Sequence, residues 1–212
     1  MTTRKYRNGL FIVIDGPDGC GKSTQCRMLA RYLRSRGRKV ECVREPGSTA
    51  LGEALRRVLL DVRQKGMTAE AEACLYLAAR AQLVRERIAP ALAAGKDVIA
   101  DRYLGSTVAY QGIAGGMGPT KVMRIARILG CDIESDLMVV LDLAGGEARK
   151  RLGSRACGID RMERKDAQYH RRVRAAFGRL GRYLAHVRVV DGSGTKQEVH
   201  SAIRRLADDV LS

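Results

Sequence analysis

The sequence predicts an α/β fold, a five-stranded parallel sheet with helices on both faces. Two observations predict it. Short, almost purely apolar runs recur along the chain, and between them apolar residues return every three or four positions, as on one face of a helix. Taken in order, residues 10–15 read as a buried strand. A helix follows from about Gly21 to Ser35, with Gly37 to stop it. Residues 39–43 read as the second strand. Residues 51–62 are helical, with Leu51, Leu55, Val58, Leu59 and Val62 on one stripe. Residues 69–89 form a long Ala/Leu helix that Pro90 interrupts. The third strand covers 97–100 and ends at Asp101. A helix over 121–129 precedes the fourth strand, 137–141. Another helix starts at Glu147 and breaks at Gly153 and Gly158. A last helix pair flanks the fifth strand, 187–190, and its second member, 196–211, closes the chain. Gly115, Gly116, Gly118 and Pro119 mark a loop and not a boundary, so 1–212 reads as one domain.

Of the 212 residues, 45% are hydrophobic, which suffices for a core and excludes a disordered chain. No apolar run approaches the roughly 18 residues of a spanning helix. The N-terminus is polar and basic, and the first strand leads into a Gly-rich loop rather than a cleavage site. The expectation is a cytoplasmic protein without a membrane partner. Cysteines 20, 26, 42, 74, 131 and 157 show no C-x-x-C spacing, so neither a structural zinc site nor a disulfide framework is expected. The net charge of +16 implies an anionic partner, either phosphates on small molecules or a nucleic acid. Residues 149–182 are the most basic stretch, opposed only by Asp160, Glu163 and Asp166. A nucleic-acid groove would want interleaved aromatics, and this stretch offers only Tyr169 and Phe177, with Tyr183 just beyond. Nucleic acid is therefore the disfavoured partner.

The strongest motif is Gly16-Pro17-Asp18-Gly19-Cys20-Gly21-Lys22-Ser23-Thr24, which fits G-x-x-x-x-G-K-[ST]. It stands between a strand and a helix, the context that this motif requires. Gly16, Gly19 and Gly21 let backbone N–H groups curl around an oxyanion at a helix N-terminus. Lys22 would reach the β- and γ-phosphates of a nucleoside triphosphate, and the hydroxyl of Ser23, next to Thr24, would ligate Mg²⁺. The loop alone does not say whether water or a second substrate accepts the phosphoryl group. Cys20 reads two ways: a thiolate favoured by the helix N-terminus and Lys22, or a small packed filler.

Four further segments stand out. Val43-Arg44-Glu45-Pro46-Gly47-Ser48-Thr49 follows the second strand. Tyr76-Leu77-Ala78-Ala79-Arg80 puts a ring and a guanidinium one helical turn apart. Asp101-Arg102-Tyr103 is followed by Ser106 and Ala109-Tyr110-Gln111. Asp160-Arg161-Met162-Glu163 ends a basic, Gly-rich stretch. With Asp18 in the phosphate loop, these segments resemble the thymidylate kinase family of P-loop nucleoside monophosphate kinases, from residue 11 to about 203.

The resemblance implies transfer of the γ-phosphoryl group of Mg·ATP to dTMP. It casts Arg44, with Glu45 and Pro46, as the holder of the acceptor phosphate, and Asp18 as the group facing the deoxyribose 3′-hydroxyl. Tyr76 would stack on the base and Arg80 would donate to a base carbonyl. Asp101 would share the Mg²⁺ shell with Ser23, and Arg102 would bridge donor and acceptor phosphates. Ser106, Tyr110 and Gln111 would line the sugar and base pocket. Residues 151–163 would be a mobile lid, with Arg151 toward ATP and with Arg155 and Arg161 acting on the transferred group. Gly19 in the loop and basic residues in the lid match one of two patterns in the family, which is typically homodimeric. The family usually has Phe at the place of Tyr76 and commonly Pro before Glu147. The alternatives are a P-loop kinase for another acceptor, such as dUMP or a deoxynucleoside, a nucleic-acid-dependent ATPase, or a non-catalytic nucleotide binder.

Overall fold

The computed structural model describes residues 8–144, 146–148 and 159–211. Strands β1 (Phe11–Asp15), β2 (Val40–Arg44), β3 (Asp97–Asp101), β4 (Leu137–Asp142) and β5 (Val187–Asp191) form one all-parallel sheet in the order β2-β3-β1-β4-β5. The inner strands β1, β3 and β4 are buried on both faces, and this is why they read as unbroken apolar runs. The edge strands β2 and β5 carry exposed residues.

Alternate residues of β1 feed two cores, as the two-residue period of a strand dictates. Ile12 and Ile14 pack with Leu29 and Leu33 of α1 (Lys22–Ser35) and with Ile203 of α7 (Lys196–Leu211). Phe11 and Val13 belong to the core on the other face, with Leu77, Tyr103, Val108 and Phe177. That face is covered by α3 (Ala69–Leu83), the short α4 (Leu104–Thr107), α5 (Pro119–Ile128) and α6 (Ala167–Phe177).

The helical stretch 104–114 is not among the predicted elements, and most of the helix expected from Glu147 lies outside the described residues. Among the described residues the predicted elements appear within a residue or two of their expected bounds, with two differences. Pro90 does not end the third helix. After Leu83 the chain passes through a π-helical stretch, Val84–Ile88, where Ala89 N–H donates to Val84 O, and a last turn, Ala89–Ala93, follows. The wider register removes the conflict between a proline ring and the preceding turn. The second difference is in α2 (Ala50–Leu60). Of its predicted apolar stripe, Leu59 is buried, whereas Leu51, Val58 and Val62 are exposed at 47%, 41% and 37%. The helix packs on α3 and not on the sheet, so only part of the stripe finds cover.

The register sets the site. Asp101 pairs with Ile14 on one side and Arg44 on the other, so β1, β2 and β3 end together. The loops that follow them open at the carboxyl edge of the sheet, where open α/β sheets bind ligands.

Candidate active site

The loop between β1 and α1 owes its shape to close approach. A Cβ on Gly16 would lie 2.5 Å from Leu141 O, at a φ of +138° that side chains avoid. The N-terminus of α1 has neither a side-chain cap nor an acidic residue in its first turn, and Thr24 and Gln25 N–H turn back to Gly21 O, so the N–H groups of Lys22 and Ser23 are left for an anion. Lys22 Nζ donates to Pro17 O at 2.7 Å and lies 3.6 Å from Cys20 Sγ. Cys20 itself is buried, which supports the filler reading over the reactive one. Ser23 Oγ donates to Asp101 Oδ2, so the hydroxyl from the loop and the carboxylate from β3 meet.

Arg102 follows β3 in a left-handed conformation, φ +72°, at a cost of roughly 1–2 kcal/mol for a non-glycine residue. That turn sends its side chain back across β1. Nη1 donates to Gly16 O and to Ser106 Oγ, both at 2.9 Å, and Nη2 donates to Asp18. Tyr110 OH donates to Asp18 Oδ2 at 2.7 Å, and Ser106 Oγ to Asp15 Oδ1 at 2.6 Å. Burial pushes the Asp18 carboxyl up, but Arg102 and Lys22 outweigh it and hold the pKa at about 2.

The opposite wall comes from β2, α2 and α3. Arg44 Nη2 donates to Glu53 Oε1 at 2.9 Å, and the same oxygen accepts from Ser48 N–H at 2.9 Å. Gly47 holds a φ of +139° there, a conformation side chains rarely adopt, and a Cβ would also push against Glu53 Oε1 at 2.4 Å. The Arg44–Glu53 pair is exposed, so it costs little to exchange. Arg56 Nη1 donates to Pro46 O at 3.0 Å. Burial and then repulsion by Arg44 push the Arg56 guanidinium down. Arg80 Nη2 donates to Glu45 Oε2 at 2.6 Å and to Thr107 Oγ1 at 2.8 Å. Tyr110 and Gln111 sit on a π-helical continuation of α4, Val108–Ala114, a register found often at functional sites.

One cleft brings these walls together. Asp18, Lys22, Ser23, Arg44, Glu45, Pro46, Tyr76, Arg80, Asp101, Arg102, Ser106, Tyr110 and Gln111 all line it, as do Asp160, Met162 and Glu163 from the far end of the expected lid. Gly16, Gly19, Cys20, Gly21 and Thr24 form the phosphate loop and first turn beside it. Arg151 and Arg155 lie outside the described residues, as does most of the expected lid.

Two of the expected site residues are held by partners within the chain. Glu45 is not free to act as a ligand of its own, because both carboxylate oxygens accept from Arg80. Arg161, expected over the transferred phosphoryl group, is committed elsewhere. Its Nη2 stands 2.7 Å from Glu72 Oε2, and its Nε donates to Leu59 O at 2.7 Å. Burying a carboxylate in α3 demands a cation, and Arg161 supplies it. The basic stretch is spent in similar ways elsewhere: Lys165 also faces Glu72, and Arg174 pairs with Asp142.

Sequence reasoning missed four residues. Arg56 carried a weak signal, three positions after Glu53 on the same helix. Asp15 was visible as the carboxylate that ends β1. Glu72 lies one turn before Tyr76. Thr107 carried none.

No group of three or more His, Cys, Asp or Glu suited to a metal occurs among the described residues. Mg²⁺ usually takes only one or two protein oxygens besides water and phosphate. The Ser23 hydroxyl and the Asp101 carboxylate, in contact at the mouth of the loop, fit that need.

A phosphate loop at the centre of a parallel five-stranded sheet, facing an arginine-lined second wall, defines a P-loop kinase-like protein. The chain matches the thymidylate kinase family over residues 14–203. It is 42% identical over 204 residues to the thymidylate kinase of Symbiobacterium thermophilum, covering 95% of this chain and 94% of the relative. It is 41% identical to those of Leifsonia xyli, over 96% and 97% of the two chains, and of Cereibacter sphaeroides, over 91% of each. The chain belongs to the thymidylate kinase family.

Proposed function

We infer that the protein transfers the γ-phosphoryl group of ATP to dTMP, giving dTDP and ADP. The observation that carries this reading is the cleft itself, with a phosphate loop on one wall, Arg44, Arg56 and Arg80 on the other, and Arg102 between them. In the reaction the bond from Pγ to the β,γ-bridging oxygen breaks, and a dTMP phosphate oxygen bonds to Pγ. Lys22 and the α1 N-terminus hold the triphosphate. Arg44 leaves Glu53 for the dTMP phosphate, joined by Arg56. Arg102, already bound to Gly16 O, is placed to meet the negative charge shared by both phosphates in the transition state. Mg²⁺ bound at Ser23 and Asp101 would neutralise phosphate charge. Tyr76, Arg80 and Gln111 surround the base, and Asp18 and Tyr110 the sugar. No covalent intermediate is required; positioning and charge neutralisation carry the rate.

The exposed apolar face of α2, with Leu51 and Val58, suits a second copy of this chain, and we read the protein as a homodimer. Sedimentation of Val58→Asp against wild type tests this; an unchanged mass would refute the assignment of that face. No helix among the described residues is long and apolar enough to cross a membrane. Free thiols at Cys20, Cys26, Cys42, Cys74 and Cys131 suit the cytoplasm.

A coupled ADP-release assay with dTMP, dUMP, dCMP, dGMP and no acceptor tests the function. Fast turnover with dTMP alone is expected. ADP release that is independent of any acceptor would refute it.

A further inference from the structure

Gln111 does not hang free in the base pocket. Its Nε2 donates to Glu72 Oε1 at 2.6 Å, and both residues are nearly closed to water. An amide has a donor end and an acceptor end, but a carboxylate can only accept. The nitrogen must therefore face Glu72, because the flipped amide would set oxygen against oxygen. The carboxylate is held in turn. Its second oxygen stands 2.7 Å from Arg161 Nη2 and 3.6 Å from Lys165 Nζ. Arg161 is fixed to the end of α2, where its backbone N–H donates to Leu60 O at 3.1 Å and its Nε to Leu59 O at 2.7 Å. A chain of contacts from α2 thus fixes which way the Gln111 amide points. Arg80 adds a complementary feature. Nε and Nη2 are taken by Glu45 and Thr107, while buried Nη1 has no hydrogen-bond partner. Arg80 and Gln111 both line the cleft. Arg80 Nη1 is thus an unpartnered donor in the cleft wall, and Gln111 Oε1 is the free, acceptor end of its amide.

We propose that Glu72 is a positioning residue that sets this polarity: by taking the amide nitrogen of Gln111, it leaves Oε1 to accept from the base. A pyrimidine with a carbonyl beside a ring N–H then meets donor with acceptor and acceptor with donor. A pyrimidine with an exocyclic amine beside an unprotonated ring nitrogen is mismatched at both places. The proposal rests on the acceptor being a pyrimidine nucleotide, as inferred above.

The test is kcat/KM for dTMP and for dCMP in wild type, Glu72→Gln, Glu72→Asp, Gln111→Ala and the double variant Glu72→Gln/Gln111→Ala. Glu72→Gln presents an amide that either end of Gln111 can face. Glu72→Asp keeps the charge opposite Arg161 but withdraws the carboxylate from Gln111, and it carries the test if Glu72→Gln does not fold. The dTMP-over-dCMP preference should fall roughly 10–100-fold in both, with the change in KM and with kcat within about threefold. In the Gln111→Ala background, Glu72→Gln should lower the preference no further. A folded Glu72 variant with wild-type preference, or an equal loss in the Gln111→Ala background, would overturn the proposal while leaving the function intact. Wild type that prefers dCMP would overturn both.

Discussion

Arg80 and Glu45 form a two-pronged ion pair in the wall of the cleft, with Arg80 Nε 2.8 Å and Nη2 2.6 Å from Glu45 Oε2, at side-chain exposures of 1% and 4%. The pair joins α3 to the loop after β2. It makes Glu45 the support of an arginine that lines the cleft. Truncating one partner of such a pair strands a buried charge, at a cost of about 3–5 kcal/mol. Glu45→Ala should lower unfolding stability by that order in urea titrations, and it should weaken dTMP binding more than ATP binding. Equal loss for both nucleotides would make Arg80 purely structural.

Lys22→Ala and Arg102→Ala should each reduce kcat by at least about 10²-fold, since each removes a charge from the phosphoryl transition state. Single-turnover rates on folded protein check this. Near-normal chemistry in either variant would remove its assigned role.

Arg161→Met should behave differently. Removing the cation beside buried Glu72 should cost about 3 kcal/mol of stability, with kcat falling far less than in the Lys22 variant. Thermal unfolding and steady-state rates on the same preparation separate the two effects. A 10²-fold loss of kcat without loss of stability would return Arg161 to a catalytic role.

Asp18 makes stability depend on acid. Its folded pKa of about 2 lies below the ordinary value of 3.8. The stabilisation is thus complete above about pH 5 and fades as pH falls through 2, a span of roughly 2 kcal/mol. Urea midpoints measured across that range should drop more steeply in wild type than in Asp18→Asn. Parallel curves would place the acid sensitivity elsewhere.

Much of this site was legible in the chain because its signals are local. The glycines of the phosphate loop, the apolar strand before it and the helix after it follow one another directly in sequence. Asp101-Arg102 announces itself the same way, at the end of a buried strand. Arg161 could not be read so. Its charge and its place beyond a Gly-rich stretch look the same whether it meets a phosphate or a carboxylate. The deciding partner, Glu72, is far away in the chain. The same holds for Glu45, whose neighbour Arg44 faces the exposed Glu53 while Glu45 itself turns inward to Arg80.

By itself, then, the sequence determined the parallel sheet, the phosphate loop and the likeness to the family. These follow from periodicity and short-range backbone chemistry. Tertiary structure alone decided which carboxylate Arg44, Arg80, Arg102 and Arg161 each meet. It decided that part of the α2 stripe stays exposed, that Pro90 is absorbed by a π-helical register, and that Gln111 is held by its nitrogen. For the ion pairs, the exposed stripe and Gln111 the physical reason is the same. Burial and pairing are properties of the space between elements, and no residue's own neighbours in the chain specify what will stand across that space.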